Sequence, residues 1–265
     1  MVRITADFQQ ERVLHPAAIP LLSEFFTKGW ADPNKLNNSS RQTAILLQQV
    51  RQTFANALNV RPDEIEFLGE VDLGFQLGIA GLLKPESKLY YSKIDRQKVY
   101  AVAANEQNLG RSTICLSVNG GGEIADFTCD TNDVICWQVA NGESGNLQKV
   151  LKNQALTFAD CTASGVDHLP QFDYQTALFD SSSWQGPAGF GVLVIRSAEK
   201  WRNPLPHNDL SRTPGTFSIP LALASSVALE NYLKEGDIRS KLKQEIIAFI
   251  KSEITDVDIA STADG

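Results

Sequence analysis

Apolar positions along the chain recur with two different periods. Spacings of three and four residues, typical of amphipathic helices, alternate with short apolar runs that are typical of buried strands. The predicted strands cover residues 64–68, 88–92, 113–118, 123–128, 133–139, 155–159, 175–180 and 191–196. The first long predicted helix begins at Ser39 or Ser40 and ends near Asn59, and further helices are predicted over 71–83, 95–105, 145–152, 218–234 and 237–253. This alternation predicts an α/β fold, with a mixed, mainly parallel sheet sandwiched by helices.

The length of 265 residues allows one large domain or two modest ones. No internal repeat divides the pattern, so we expect a single domain over residues 1–254, with the N-terminal segment and two C-terminal helices packed on it. The last of these helices places Ile238, Leu242, Ile246, Ile247 and Ile250 on one stripe. Residues 255–265 are small and polar, and we expect a flexible tail there.

Composition narrows the class of protein. Lys and Arg number 24 against 31 Asp and Glu, for a net charge of −7. This balance disfavours binding to nucleic acid or to an anionic membrane, because both need a positive field. No apolar run reaches the length of a membrane span, and the four cysteines contain no C-x-x-C pair. With only three histidines besides, we expect a cytoplasmic protein with reduced thiols and no metal site.

Three polar segments could carry chemistry, but each has a simpler interpretation. Asn119–Gly122 lies between two predicted strands, so a hairpin turn is favoured over a phosphate loop. Gly142–Gly145 resembles part of a nucleophile elbow, but its second glycine comes one position early. Ser181–Ser183 could form a serine-hydrolase site with His168 and Asp180, yet the spacing does not favour it over a polar loop.

Asp160 ends an apolar strand that is predicted to be parallel to its neighbours. A carboxylate there lies where open α/β sheets gather their ligands. The alternative, which the spacing alone favours slightly, is a turn or helix cap.

Taken in order along the chain, several segments resemble the large domain of the cysteine desulfurases, which are class V aminotransferase-like enzymes using pyridoxal phosphate on the type I fold. The matching segments are 7–8, 15–16, 32–33, 64–67, 140–145, Asp160, 186–189 and 212–216. The resemblance implies a cofactor pocket that includes Asp160 and Asn141. It also implies a homodimer, in which Thr216 belongs to a stretch that reaches the partner's cofactor phosphate.

One departure from the family concerns the lysine that forms the Schiff base. The family's His-Lys pair falls on Ser182 and Ser183, and no lysine occurs between Lys152 and Lys200. A serine hydroxyl cannot form an imine, so a covalent cofactor link at Ser183 is chemically excluded.

The phosphate loop departs from the family as well. The family's Gly-Ala-Thr aligns with Glu70-Val71-Asp72. Either carboxylate could cap the following helix by accepting the backbone N–H groups that a phosphate would need. Each carboxylate would also repel a phosphate by roughly 4 kcal/mol per charge pair at contact distance. In addition, Arg96 stands at the ring-stacking histidine and Ala163 at a cofactor glutamine. We therefore expect a vestigial pocket that is closed to phosphate.

The sequence also ends where the family continues into its small domain, which carries the persulfide cysteine. We expect the chain's own thiols to be buried and structural, namely Cys115, Cys129, Cys136 and Cys161. The tryptophans Trp30, Trp184 and Trp201 are candidate interface or core anchors, with the core favoured.

Three functions remain open. The first is a degenerate desulfurase-like protein that has lost catalysis, needs no cofactor and acts as a homodimer or as the partner of an active homologue. The second is a working pyridoxal phosphate enzyme in which another lysine reaches the pocket, or which binds the cofactor without a covalent link. The third is reuse of the pocket for a different small molecule, one that the carboxylates Glu70 and Asp72 would favour as a cation.

Overall fold

Seven strands form one sheet in the computed structural model of the chain, which describes residues 13–149, 151–152, 154–206, 212 and 217–254. The strands are β1 (Ile65–Leu68), β2 (Leu89–Ser92), β3 (Thr113–Leu116), β4 (Val134–Gln138), β5 (Leu156–Asp160), β6 (Thr176–Asp180) and β7 (Gly191–Ile195). Their order is β1-β7-β6-β5-β4-β2-β3. Strand β7 runs antiparallel to both of its neighbours, β1 and β6, and the other strand pairs of the described sheet are parallel. The mixed, mainly parallel sheet is therefore confirmed.

Helices cover both faces of this sheet, as predicted. The described helices are α1 (Ile19–Lys28), α2 (Asn38–Leu58), α3 (Val71–Ala80), α4 (Gln97–Asn108), α5 (Ile219–Lys234) and α6 (Gly236–Glu253). Alternate strand residues point to opposite faces, so Phe158 packs with Phe75 of α3 while Ala159 packs with the core of α2 and α5. No helix in the described part of the chain is long and apolar enough to cross a membrane.

The connection after β2 changes direction within the sheet. The chain leaves β2 through α4 to reach β3 on one side of β2, and then returns to place β4 on the other side. The strands β5 and β6 continue the parallel series beyond β4. The carboxyl ends of β2 and β4 thus flank the point where the strand order reverses, which is where open α/β sheets form a crevice.

Two predicted elements are wrong. Residues 123–128 contain no strand, because only Val118 and Ile124 form a bridge around the predicted hairpin turn. The described residues of 145–152 are not helical, because Asn146 and Gln148 donate their side-chain amides to the backbone carbonyls of the glycine turn. These side-chain bonds hold the segment in a loop that covers that turn.

Two helix starts also differ from the sequence analysis. Helix α1 as a whole is not predicted by the apolar pattern. None of its residues is fully buried, and the side that packs on the core is only half-buried. Helix α2 begins at Asn38, because Asn37 is the N-cap and accepts the Ser40 N–H at 2.9 Å. The predicted cap at Ser39 or Ser40 is therefore shifted by two or three residues.

The candidate tryptophan anchors and the cysteine thiols differ in how deeply they are buried. Trp184 and Trp201 lie in the core as expected, whereas Trp30 is 45% exposed. Cys136 and Cys161 are buried, and burial raises the pKa of both thiols. The expectation was wrong for Cys115, which is exposed, and for Cys129, which is half-buried.

The stripe predicted on the last helix faces mainly away from the sheet. Ile247 and Ile250 are half-buried, but Ile238, Leu242 and Ile246 are each at least half-exposed. The residues of 255–265, predicted as a tail, lie outside the described part of the chain.

Candidate active site

Asp160 lies at the carboxyl end of β5 and is only 2% exposed. Its Oδ1 accepts the backbone N–H of Thr162 at 2.9 Å and the Thr162 hydroxyl at 2.6 Å. Its Oδ2 lies 3.6 Å from Nε of Arg96. Burial raises the pKa of Asp160, while Arg96 and Thr162 oppose that rise. Asp160 is therefore both the predicted turn cap and one half of an ion pair.

Arg96 reaches Asp160 from the start of α4, where it is the N-cap residue. The preceding turn is closed by Asp95, whose Oδ2 accepts the Ser92 N–H at 2.7 Å. A Cβ at Gly142 would lie 3.5 Å from Nη2 of Arg96 and 3.4 Å from Cβ of Ala163. Both distances are ordinary van der Waals contacts, so Gly142 packs beside the guanidinium without a steric requirement for glycine.

Ser182 and Ser183 lie in a short 3-10 turn that follows β6. The carboxylate of Asp180 accepts the Ser182 N–H at 2.9 Å, and Oγ of Ser183 donates to the Asp180 carbonyl at 2.7 Å. Gly165, at φ +54°, packs so closely that a Cβ there would lie 2.8 Å from Cβ of Ser183. Both serines are therefore part of a tightly packed polar turn, as the simpler interpretation predicts.

The start of α3 is capped by its own sequence. Glu70 is the N-cap residue, and its carboxylate accepts the Asp72 N–H at 3.2 Å. Asp72 in turn places Oδ2 at 2.7 Å from Nζ of Lys98, in the first turn of α4. The predicted capping role is confirmed for Glu70. The ion pair with Lys98 was not predicted, because the residues are 26 positions apart and nothing in the sequence indicates that α3 and α4 are neighbours.

Asn141 follows β4, and its side-chain amide holds the loop that contains it. Nδ2 donates to Oε1 of Gln138 at 3.0 Å and to the Ile94 carbonyl at 3.3 Å. Oδ1 accepts the Ser144 N–H at 2.8 Å and the Glu143 N–H at 3.0 Å. The candidate cofactor residue is therefore committed to loop structure on both of its polar atoms.

The stretch that contains Thr216 can be described only at its first residue, because 213–216 lie outside the described residues. Arg212 donates to the Asp63 carbonyl at 2.9 Å, and its Nε lies 4.0 Å from Oε1 of Glu66 on β1. In this chain, Arg212 therefore contacts the strand that leads to α3.

A cleft of about 1070 Å³ opens where the strand order reverses. Its walls are the residues after β2, the loop after β4 and the glycine turn 120–122. Lys93, Asp95 and Arg96 contribute the charged side chains on the β2 side, and Glu143 contributes one on the β4 side. Burial and the nearby Asp160 raise the pKa of Asp95 to about 7. The cleft thus combines two basic side chains with a buried acid whose pKa is raised to about 7.

Sequence reasoning placed Asp160, Asn141 and Arg96 in one pocket, and the structure brings Arg96 against Asp160. It did not identify Lys93 or the glycine turn as part of the cleft. The turn is attached there by Asn146, whose Nδ2 donates to the Gly121 carbonyl at 2.7 Å. The available signal was the position of Lys93 directly after a strand, which alone is too common to be specific. No cluster of three or more potential metal ligands occurs within the described residues.

Comparisons with known proteins identify the fold. No family model matches the chain. Cysteine desulfurase IscS from Clostridium botulinum is 22% identical over 287 aligned positions, which cover 99% of this chain and 72% of that protein. A solved NifS-like protein superimposes with a TM-score of 0.81 at 18% identity, over 91% of this chain and 72% of that chain. DndA from Streptomyces lividans superimposes with a TM-score of 0.77 at 16% identity, over 94% and 78% of the two chains.

Proposed function

We propose that this chain, which has the fold of the cysteine desulfurases, no longer carries out pyridoxal phosphate catalysis. It acts instead by associating with a second copy of itself or with an active homologue. The proposal rests on Ser183, which the sequence resemblance aligns with the family's lysine and whose hydroxyl donates to the Asp180 carbonyl. A hydroxyl offers no nitrogen for an imine.

Two further features make the residues present a poor fit to the cofactor. The Arg96 guanidinium already supplies a positive charge 3.6 Å from Oδ2 of Asp160, where the family places the pyridine nitrogen. The Glu70 carboxylate takes an N–H donor at the start of α3 and brings a negative charge to the place of a phosphate. Both the ring and the phosphate of the cofactor thus lose their partners in this chain.

The direct test is spectroscopic. Purified protein is mixed with pyridoxal phosphate, and its absorbance is followed before and after treatment with borohydride. We expect only the spectrum of the free aldehyde, and no covalent adduct by mass spectrometry of the intact chain. A protein-bound aldimine band that borohydride converts into a stable adduct would contradict the proposal.

A second function, a working enzyme with a lysine from elsewhere, is favoured by one observation. Lys93 is exposed and lines the same cleft as Arg96. If this lysine forms the adduct, peptide mapping after reduction identifies Lys93, and Lys93→Arg abolishes labelling. The matched variant Lys98→Arg should then leave it intact, because Lys98 is paired with Asp72 outside the cleft lining.

The cellular setting follows from the same physical properties. The acidic balance opposes binding to nucleic acid or anionic membranes, and the free buried thiols suit a reducing compartment. We therefore propose a cytoplasmic location.

A further inference from the structure

We propose that residues 255–265, which follow α6 in the chain, fold back along that helix as an extended segment and cover its outer face. The outer face is the row of exposed apolar side chains Ile238, Leu242, Ile246 and Phe249. The inference replaces the flexible tail that composition predicts for this segment. It concerns a contact within the chain, so it goes beyond the proposed function and holds whether or not the protein binds a cofactor.

The exposure of the outer face is the first support. Helix α6 has 18 residues and none of them is buried. The four side chains of the outer face are 50% to 69% exposed. They recur at intervals of four, four and three positions, so they form one row along the helix. A contiguous apolar row on a protein surface marks a contact site, because its exposure to water is unfavourable.

The contacts of α6 with the rest of the molecule keep this face on the outside. Nη2 of Arg239 lies 3.1 Å from Oδ1 of Asp167, and the guanidinium carbon lies 3.2 Å from the centre of the Tyr232 ring. Ile247 and Ile250 are half-buried. Rotating α6 to bury the outer face against α5 would break these contacts. The cover must therefore come from another piece of polypeptide.

The segment after α6 has the pattern of a strand with one apolar side. Val257 and Ile259 alternate with Asp256 and Asp258. Ile254, the last described residue of this stretch, already has an extended backbone, with φ −113° and ψ 109°. In an extended chain, alternate side chains point to opposite sides. The segment can therefore bury both apolar side chains and leave both aspartates in water.

The dimensions of the two elements match. Alternate side chains of an extended chain are about 6.6 Å apart, and side chains four positions apart in a helix are about 6 Å apart. Folding back from the end of α6, Val257 comes level with a point about seven positions back, between Ile246 and Phe249. Ile259 comes level with a point about eleven positions back, between Leu242 and Ile246.

The direct connection to α6 favours this segment over a separate chain. A covalently attached segment is present at a high effective concentration. It also avoids the loss of translational and rotational freedom that a second copy or another protein would incur on binding. A contact of only a few apolar side chains is therefore sufficient within the chain, although it is too small for a stable complex.

Hydrogen exchange of the full chain, measured by mass spectrometry, is the first test. We expect the combined substitutions Val257→Ser and Ile259→Ser to speed exchange of the α6 amides by about fivefold or more. Peptides from α2 should be unaffected. The matched control combines Ala260→Ser and Thr262→Ser, which alter the other side of the extended segment without changing the charge. It should leave the exchange of α6 at the wild-type rate.

A disulfide crosslink is the second test, and it identifies the occupant directly. We expect Leu242→Cys and Ile259→Cys together to form a disulfide within one chain at low micromolar protein, with oxidised glutathione as the oxidant. Cys115 is exposed, so it is replaced by serine in this background. The control pairs Ile259→Cys with Ser240→Cys, on the opposite side of α6 from the outer face, and should give no such crosslink.

The proposal is overturned if the substitutions at 257 and 259 leave the exchange of α6 unchanged, or if the Leu242→Cys pair forms no disulfide. It is equally overturned if that disulfide joins two chains, a result that would assign the outer face to a second copy. A crosslink within the chain that the Ser240→Cys pair forms just as readily would also contradict it, because the segment would then have no preferred side of α6.

Discussion

At the scale of single residues, the pair of Asp160 and Arg96 decides what the pocket can do. A carboxylate that is 2% exposed needs an opposite charge or a proton, because burial in low dielectric is costly for an isolated charge. Here the opposite charge comes from the chain itself, 3.6 Å away. The Asp160 carboxylate, which the resemblance assigns to the cofactor ring, thus instead stabilises the contact between β5 and the start of α4.

Removing one partner of this pair should destabilise the protein. We expect Arg96→Leu to lower the free energy of unfolding by about 1–2 kcal/mol at pH 7, a modest value because Arg96 is partly exposed. Adding Asp160→Asn should recover part of that loss, since no buried charge then remains. Urea unfolding of the two single variants and the double variant measures the coupling. Additive effects would mean that the pair does not interact.

Asp95 should give the stability a pH dependence. Its pKa of about 7 in the folded chain exceeds the ordinary value, so the folded state retains a proton that the unfolded state has lost. Its charged surroundings are Asp160, Arg96 and Lys93, and Cys136 lies close behind it. The stabilisation is full below about pH 4 and is lost as the pH rises to about 7.

We expect a contribution on the order of 2–4 kcal/mol to disappear across that range. Asp95→Asn keeps an acceptor for the Ser92 N–H but does not titrate, so it serves as the matched variant. Urea unfolding of both proteins from pH 4 to pH 8 gives the difference. Parallel curves for the two proteins would rule out Asp95 as the titrating group.

At the scale of elements, the starts of α3 and α4 lie at the same sheet edge but differ in their side-chain capping. Glu70 caps α3, and Lys98 on α4 neutralises Asp72 beside it. Helix α4 lacks a side-chain cap and faces the cleft. The Glu70 carboxylate therefore occupies a backbone N–H donor at the start of α3, whereas the start of α4 has no side-chain cap.

Introducing a lysine at position 183 alone should not produce covalent binding of pyridoxal phosphate. We expect Ser183→Lys to form no aldimine at micromolar pyridoxal phosphate, because Glu70 and Arg96 still oppose the phosphate and the ring. Combining Ser183→Lys with Glu70→Gly, Asp72→Thr and Arg96→His should produce measurable absorbance of a bound aldimine. A band from the single substitution would show that the lysine was the only defect. Circular dichroism checks that each variant folds.

At the scale of the whole molecule, the described surface carries two apolar features that could meet another chain. Phe26 and Trp30 pack edge to face with ring centroids 6.2 Å apart, and they are 60% and 45% exposed. The second feature is the exposed stripe of α6. Rigid, exposed aromatic side chains are typical anchors of interfaces, so the proposed homodimer is expected to use the pair on α1.

Light scattering coupled to size exclusion tests this expectation. We expect the wild-type chain to elute with the mass of a dimer and Phe26→Asp to shift it to the monomer. The matched variant Leu242→Asp places the same charge on the α6 stripe and should leave the dimer intact. A monomeric wild type would remove the association from the proposal, whereas dissociation by Leu242→Asp alone would move the interface to α6.

The sequence by itself determined the layers of the fold. Apolar periodicity indicates most helices and strands, because it follows from which backbone faces must be buried. The sequence alone also establishes that residue 183 carries a hydroxyl and no amine. The position of Asp160 at the end of a parallel strand could also be predicted, and parallel strands bring their carboxyl ends to one edge of the sheet.

Tertiary structure alone decided which charges meet. Arg96 and Asp160 are 64 positions apart, and only the adjacency of β2, β4 and β5 brings them together. The same holds for Asp72 with Lys98, and for the side-chain bonds of Asn146 and Gln148 that hold 145–149 in a loop rather than the predicted helix. Local propensity is worth a few tenths of a kcal/mol per residue, so contacts between distant segments override it.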